Sequence, residues 1–155
     1  MDILYHAAME IITDPKEVRR ILQEYLHGKK KRKWNAGRRK DLGDIFFRSG
    51  TEANVARYLS FLKAHGQISG WEYEPKRFYF EGVRRGTNSY LPDFRVWLTK
   101  CSYVWWEVKG WRHPKGETAL RRMAKYYPAE KIEVIDVKRY AEIKRQVAGL
   151  IPFWE

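Results

Sequence analysis

Apolar positions along the chain recur first at helical spacing, then in strand-like runs, then at helical spacing again. Asp14-Pro15-Lys16-Glu17 reads as a cap, a proline at the first helical position and an acidic first turn. Val18, Ile21, Leu22, Tyr25 and Leu26 then share one side of a predicted helix that stops near Gly28. Ser49-Gly50-Thr51-Glu52 is a Ser-x-x-Glu capping pattern that opens a second helix, running to about His65 before Gly66. Three extended segments follow at 71–80, 90–98 and 103–109, rich in aromatic and β-branched residues. Residues 117–127 return to helical spacing through Leu120, Met123, Ala124 and Tyr127, and Pro128 closes them. Residues 131–135 read as a short strand, Asp136 as the cap of a last helix and Gly149 as its stop. From residue 49 the order is α-β-β-β-α-β-α. Parallel pairing around the helix at 117–127 then gives a mixed sheet flanked by helices, an α/β fold.

The second and third extended segments bring the candidate chemistry together. An antiparallel hairpin with its turn near Lys100 pairs positions whose numbers sum to about 200, so Asp93 faces Glu107 and Phe94 faces Trp106. Alternation puts Phe94, Val96, Val104, Trp106 and Val108 on one face and Asp93, Glu107 and Lys109 on the other. Two carboxylates directly opposite each other repel. A hard divalent cation offsets that directly; Lys109 and nearby arginines, neutralising two ordinary surface acids, are the alternative. Glu52 shares the face of Val55, Leu59 and Leu62 on its helix. It is either a carboxylate at the end of a buried stripe in need of a cation or donors, or only the reciprocal half of the Ser49 capping box.

Charge changes the picture further. The 155 residues hold 31 Lys plus Arg against 19 Asp plus Glu, a formal +12, and that excess suggests a polyanionic partner. The hydrophobic share of 44% is that of a packed domain rather than a disordered chain. Eight cations fall within the twelve residues 29–40: Lys29, Lys30, Lys31, Arg32, Lys33, Arg38, Arg39 and Lys40. They are expected to form a solvated arm that binds phosphates, dividing residues 1–45, a helix and basic arm, from a core at 46–155. Arg84 and Arg85 in a turn-rich loop, Arg112 after the Lys109 strand, and Lys125 on the following helix are further candidate DNA contacts, as are Arg121 and Arg122. Trp34 is the stacking candidate, whereas Trp106 reads as core. Cys101 stands alone, so no internal disulfide forms and a reducing cytoplasm is expected. The start reads as too polar for a signal peptide, no stretch approaches a membrane span, and the four histidines are too scattered for structural zinc.

Pro92-Asp93, thirteen residues, then Glu107-Val108-Lys109, with Glu52 on the preceding helix, resembles the PD-(D/E)XK nuclease motif. The likeness covers roughly residues 46–145. Within it, 50–59, 85–94 and 106–110 look most like small phage endonucleases and Holliday-junction resolvases. The resemblance implies a restriction-endonuclease-like core. It also implies that Asp93, Glu107 and the Val108 backbone carbonyl ligate Mg²⁺ or Mn²⁺ and that Glu52 completes the shell. Lys109 is then expected to orient the attacking water and stabilise charge. A structure-specific endonuclease cutting four-way junctions is the leading expectation, with the host cytoplasm as its location if phage-encoded. A restriction-like or nicking enzyme and a non-catalytic basic DNA-binding protein are the alternatives. Resolvase-like enzymes act as two-fold dimers, so a homodimer is expected. The apolar tail Leu150-Ile151-Pro152-Phe153-Trp154 is expected either to fold back on the core or to cross that dimer axis.

Overall fold

The computed structural model describes residues 35–110 and 114–155. The predicted N-terminal helix, the arm residues 29–34 with Trp34, and Arg112 lie outside the described residues. In chain order the elements are β1 (Gly37–Arg39), a 3-10 turn (Lys40–Leu42), β2 (Ile45–Phe47), α1 (Gly50–Ala64), β3 (Gly70–Tyr73), β4 (Phe78–Tyr79), β5 (Ser89–Tyr90), β6 (Phe94–Trp97), β7 (Tyr103–Val108), α2 (Pro114–Tyr126), β8 (Ile132–Ile135) and α3 (Val137–Val147). A four-stranded sheet runs β3-β6-β7-β8. Its first two pairings are antiparallel and β7–β8 is parallel, with α2 as the crossover. The result is a mixed α/β fold with a mixed central sheet and, among the described residues, three α-helices.

Local chemistry accounts for the helix ends. Ser49 Oγ accepts from the Glu52 N–H at 3.1 Å, and Asp136 Oδ1 accepts from the Arg139 N–H at 2.8 Å, so both expected caps form. Beyond α1 the chain turns through Gly66 at φ 69°, a left-handed conformation natural to glycine. Phe94, Val96, Val104 and Trp106 pack on one face of the sheet with Val55 and Leu59 of α1 and Ile143 and Val147 of α3. Trp105, fully buried, points the other way, against Phe78, Tyr90 and Ala119 and Met123 of α2.

Two predicted strands are broken. The run 71–80 divides into β3 and β4, and the run 90–98 into β5 and β6. Pro75 and Pro92 sit at the breaks, where neither can lend an N–H to a ladder. The Glu74 N–H still donates to the Asp93 carbonyl at 2.8 Å, continuing the β3–β6 pairing. Beyond it the β4–β5 register has slipped by one residue (Tyr73 opposite Phe94, but Phe78 opposite Tyr90), so the β4 side carries one extra residue, as in a bulge. The long hairpin therefore kinks at Glu74–Pro75 and at Pro92–Asp93.

The basic arm also needs correction at its C-terminal end. Arg38 and Arg39 lie in β1, paired with β2, and Lys40 starts the 3-10 turn. Leu42 and Phe47 of this hairpin are buried in the α1 core cluster, so the packed core reaches back before residue 46. The tail folds back in part: Ile151 is buried and Trp154 stacks on Tyr140 at 6.1 Å, while Leu150 and Phe153 stay exposed. No helix among the described residues is long and apolar enough to cross a membrane.

Candidate active site

The hairpin of β6 and β7 has the expected register. Phe94 faces Trp106 and Val96 faces Val104, which places Asp93 opposite Glu107 at the kink. Asp93 is only 4% exposed. Its Oδ2 accepts from the Val108 N–H at 2.7 Å, and its Oδ1 accepts from Arg48 Nη2 at 2.7 Å. Burial, and then the charge of Glu107, push the Asp93 carboxyl up to about 8, against the pull of the Val108 hydrogen bond and Arg48. Glu107 is raised as well, chiefly by burial, although the hydrogen bond from Tyr90 and the charge of Lys109 oppose this. The Tyr90 hydroxyl donates to Glu107 Oε2 at 2.7 Å and so fixes its direction. Both carboxyls are raised first by burial, and the charge of Glu107 adds to this at Asp93. The Val108 N–H points toward β6, and the carbonyl of the same strand residue points the same way.

Glu52 turns inward at the start of α1, 9% exposed. Its carboxylate meets donors, as the first reading asks, but the capping-box reading fails in its partner, because the reciprocal backbone bond comes from Arg48. Oε1 accepts from the Ser49 hydroxyl at 3.1 Å, and Oε2 accepts from the Arg48 N–H at 3.1 Å and from the Tyr73 hydroxyl at 2.6 Å. The glutamate thus helps to cap its helix through Arg48 rather than Ser49 N–H, and still presents its charge to Asp93. Tyr73 is locked in turn between the rings of Phe47 and Phe94, at 4.6 and 5.3 Å.

Arg48 and Glu74 are the parts that sequence reasoning missed. Arg48 Nη2 lies 2.7 Å from Asp93 Oδ1 and 2.8 Å from Glu74 Oε1, and its Nε is 3.8 Å from Glu52 Oε2. The contact with Glu74 is an ion pair whose alignment falls short of a hydrogen bond. Burial acts against the Arg48 charge, but Asp93, Glu52 and Glu74 outweigh it and hold the guanidinium protonated more firmly than usual. Two signals for this pair were present in the sequence. Arg48 directly precedes the Ser49 cap, and Glu74 precedes a proline that breaks a strand.

Lys109 approaches from the end of β7. Its ammonium is buried and has no hydrogen-bond partner among the described residues. A Cβ built on Gly116 in the first turn of α2 would stand 2.9 Å from Lys109 Nζ, so the missing side chain makes room for the ammonium. A buried ammonium without a hydrogen-bond acceptor is costly.

The expected DNA contacts divide. Arg38 is exposed, although its Nη1 donates to the Asp44 carbonyl at 2.8 Å and pairs with the Asp44 carboxylate at 3.5 Å, and Lys40, Arg84 and Arg85 are exposed as well. Lys125 is exposed with its ammonium over the Tyr126 ring at 5.7 Å. Arg39 is committed elsewhere: its Nε donates to Glu155 Oε1 at 2.7 Å, and its side chain is 14% exposed. Arg122, for which the sequence leaves a DNA-facing and a solvated position equally open, donates to the Thr87 carbonyl and ties down the loop between β4 and β5.

Among the described residues, no group of three or more His, Cys, Asp or Glu side chains is gathered closely enough to hold a metal ion as it stands. The donor set nevertheless suits a hard divalent cation, being carboxylates short of positive charge, and the cation now among them is a guanidinium. Compared with protein-family models, curated proteins and solved structures, the chain matches none.

Proposed function

We propose that the protein is a metal-dependent DNA endonuclease of PD-(D/E)XK type, with Glu52, Asp93, Glu107 and Lys109 as its working side chains. The observation that carries this reading is the charge-deficient pair Asp93–Glu107 beside a buried lysine with no acceptor. Acids and bases perturbed in this way cluster at functional sites. Mg²⁺ or Mn²⁺ held by Asp93, Glu107 and the Val108 carbonyl supplies charge neutralisation at the phosphate and a water of lowered pKa. Tyr90 keeps Glu107 turned toward that position, and Tyr73 does the same for Glu52. Lys109 holds the attacking water or a non-bridging phosphate oxygen in line.

The net charge of +12 fits a nucleic acid as substrate. A four-way junction is the preferred substrate in this reading, cut by a homodimer in the cytoplasm, with the host cytoplasm the site for a phage-encoded chain. Cleavage of a junction, a nicked duplex and a linear duplex in Mg²⁺ tests it directly. Faster cutting of the junction is expected. Equal rates on all three would replace the resolvase reading with a restriction-like or nicking enzyme, and no cutting of any would leave a basic DNA-binding protein.

A further inference from the structure

Arg48 and Glu74 have no part in the chemistry proposed above, yet both stand at its central acid. The guanidinium lies 2.7 Å from Asp93 and 2.8 Å from Glu74 through a single nitrogen. The side chains of Asp93, Glu52 and Glu74 are 5%, 12% and 26% exposed, whereas that of Arg48 is 55% exposed. The acids belong to the fold; the arginine reaches in from solvent and can leave by rotation about its own bonds. Its backbone stays behind, because the Arg48 N–H is held by Glu52 Oε2 at 3.1 Å. Glu74 is kept in place with φ 45°, a left-handed conformation that costs a glutamate energy.

Resting on the nuclease reading, we propose that Arg48 is an exchangeable cation of this site. In the metal-free protein it holds Asp93, Glu74 and Glu52 together. A divalent cation takes over Asp93 and Glu74, and the released guanidinium binds a phosphate of the DNA. The exchange follows from size and charge. Mg²⁺ sits about 2.1 Å from its oxygens, and an Asp93 oxygen so engaged has no room for a second cation at hydrogen-bond distance. Two like charges there repel. Once displaced, the guanidinium remains tethered beside the acids, permanently charged and shaped for two phosphate oxygens. Glu74 thereby becomes a fourth acid of the site.

The test measures two ligands on full-length Arg48→Gln and wild type. Mn²⁺ binding is followed by calorimetry without DNA, and duplex binding by fluorescence anisotropy in Ca²⁺, a probe chosen to support binding without cutting. Arg48→Gln is expected to bind Mn²⁺ about tenfold more tightly. It is also expected to bind DNA more weakly, with the slope of log K against log salt flatter by about 0.9, one phosphate contact. Glu74→Gln should weaken Mn²⁺ binding and leave that slope unchanged. Opposite signs on the two ligands report a lost charge at the site, and the flatter salt slope reports a phosphate contact that a purely structural arginine would not make. Arg48→Lys, which keeps the charge and loses the fork, should fall between and guards against loss of folding in the glutamine variant. Unchanged or weaker Mn²⁺ binding in both Arg48 variants overturns the exchange, and an unchanged salt slope overturns the phosphate contact. Either result with wild type still cutting DNA in Mg²⁺ leaves the nuclease reading standing; a wild type that neither binds Mn²⁺ nor cuts ends both.

Discussion

Helix α1 carries Glu52 at its start and Arg57 further along, and each belongs to a cluster of charge set into the protein. Around Arg57 the account closes. Its guanidinium lies 2.8 Å from Asp41 and 3.1 Å from Glu155, Arg39 reaches Glu155 at 2.7 Å, and Asn54 Oδ1 accepts from Arg57 at 2.9 Å. Two arginines meet two carboxylates. The Arg57 hydrogen bond holds the Asp41 carboxyl below its ordinary value. For Glu155, burial alone would raise the carboxyl, but Arg39 and Arg57 outweigh it and lower it too. Around Arg48 the account stays open, with Asp93, Glu107, Glu52 and Glu74 sharing one arginine and the more distant Lys109. There the pair Asp93–Glu107 is raised instead. Acids of the same chemistry shift in opposite directions chiefly because Asp93 and Glu107 are deeply buried, whereas Asp41 and Glu155 lie nearer solvent and each meets an arginine. A network that completes its charge from within serves the fold, and one left open is what the proposed metal site requires.

Replacing Asp93 should separate the two clusters most sharply. Asp93→Asn removes a carboxylate charge from the deficient pair and is expected to lower cleavage by roughly 10³-fold, about 4 kcal/mol in the barrier. The same change should stabilise the metal-free protein near neutral pH. The sign comes from linkage. A carboxyl whose folded pKa lies above its unfolded value adds stability below the unfolded pKa, and that stability is lost as pH rises through the folded pKa. For Asp93 the window runs from 3.8 up to about 8. Asp41 behaves in the opposite way: its contribution is present above the ordinary carboxylate range and lost as pH falls through the depressed value. Thermal melts in EDTA should therefore show a decline in Tm across the upper window that Asp93→Asn reduces. An undiminished decline would remove Asp93 as its source.

Arg57→Ala tests the closed cluster. Removing one partner of a buried ion pair leaves the other uncompensated, so a loss of about 3 kcal/mol is expected by chemical denaturation. Mn²⁺ affinity per folded molecule should be unchanged. A fall in that affinity comparable to the one from Asp93→Asn would erase the distinction between the clusters.

The contrast also marks what the sequence could reveal. Caps and periodicity are local, and Ser49, Asp136 and the helix at 117–127 were readable for that reason. So was the register that sets Asp93 against Glu107, because a short hairpin turn ties pairing to numbering. The kinks at Glu74–Pro75 and Pro92–Asp93 were less plain. Apolar runs on both sides suggested unbroken strands, although the prolines carried the signal. The Arg39–Glu155 and Arg57–Asp41 pairs join residues brought together only by the completed fold, so Arg39 was read as an arm residue. Arg48 was overlooked because an arginine before a helix cap has no periodicity to betray its partners. Which acids it gathers depends on the bulge that swings Glu74 toward Asp93.

The smallest effect concerns the lysine on the other side of the pair. Gly116 leaves space that a methyl group would take from Lys109 Nζ, at 2.9 Å, while Cε, at 3.5 Å, would stay in ordinary van der Waals contact. The atom met is the free end of a flexible side chain, so the fold can accommodate alanine while the ammonium shifts. Alanine also favours a helix over glycine by up to about 1 kcal/mol. Gly116→Ala is thus expected to match or exceed wild type in Tm and yet to lose about tenfold in single-turnover cleavage, or 1.4 kcal/mol. Mn²⁺ affinity should hold, because Lys109 is no ligand. That combination places the loss at the lysine: a variant that melted early would point to helix α2, and one that cut at the wild-type rate would show that the ammonium need not stand where Gly116 lets it.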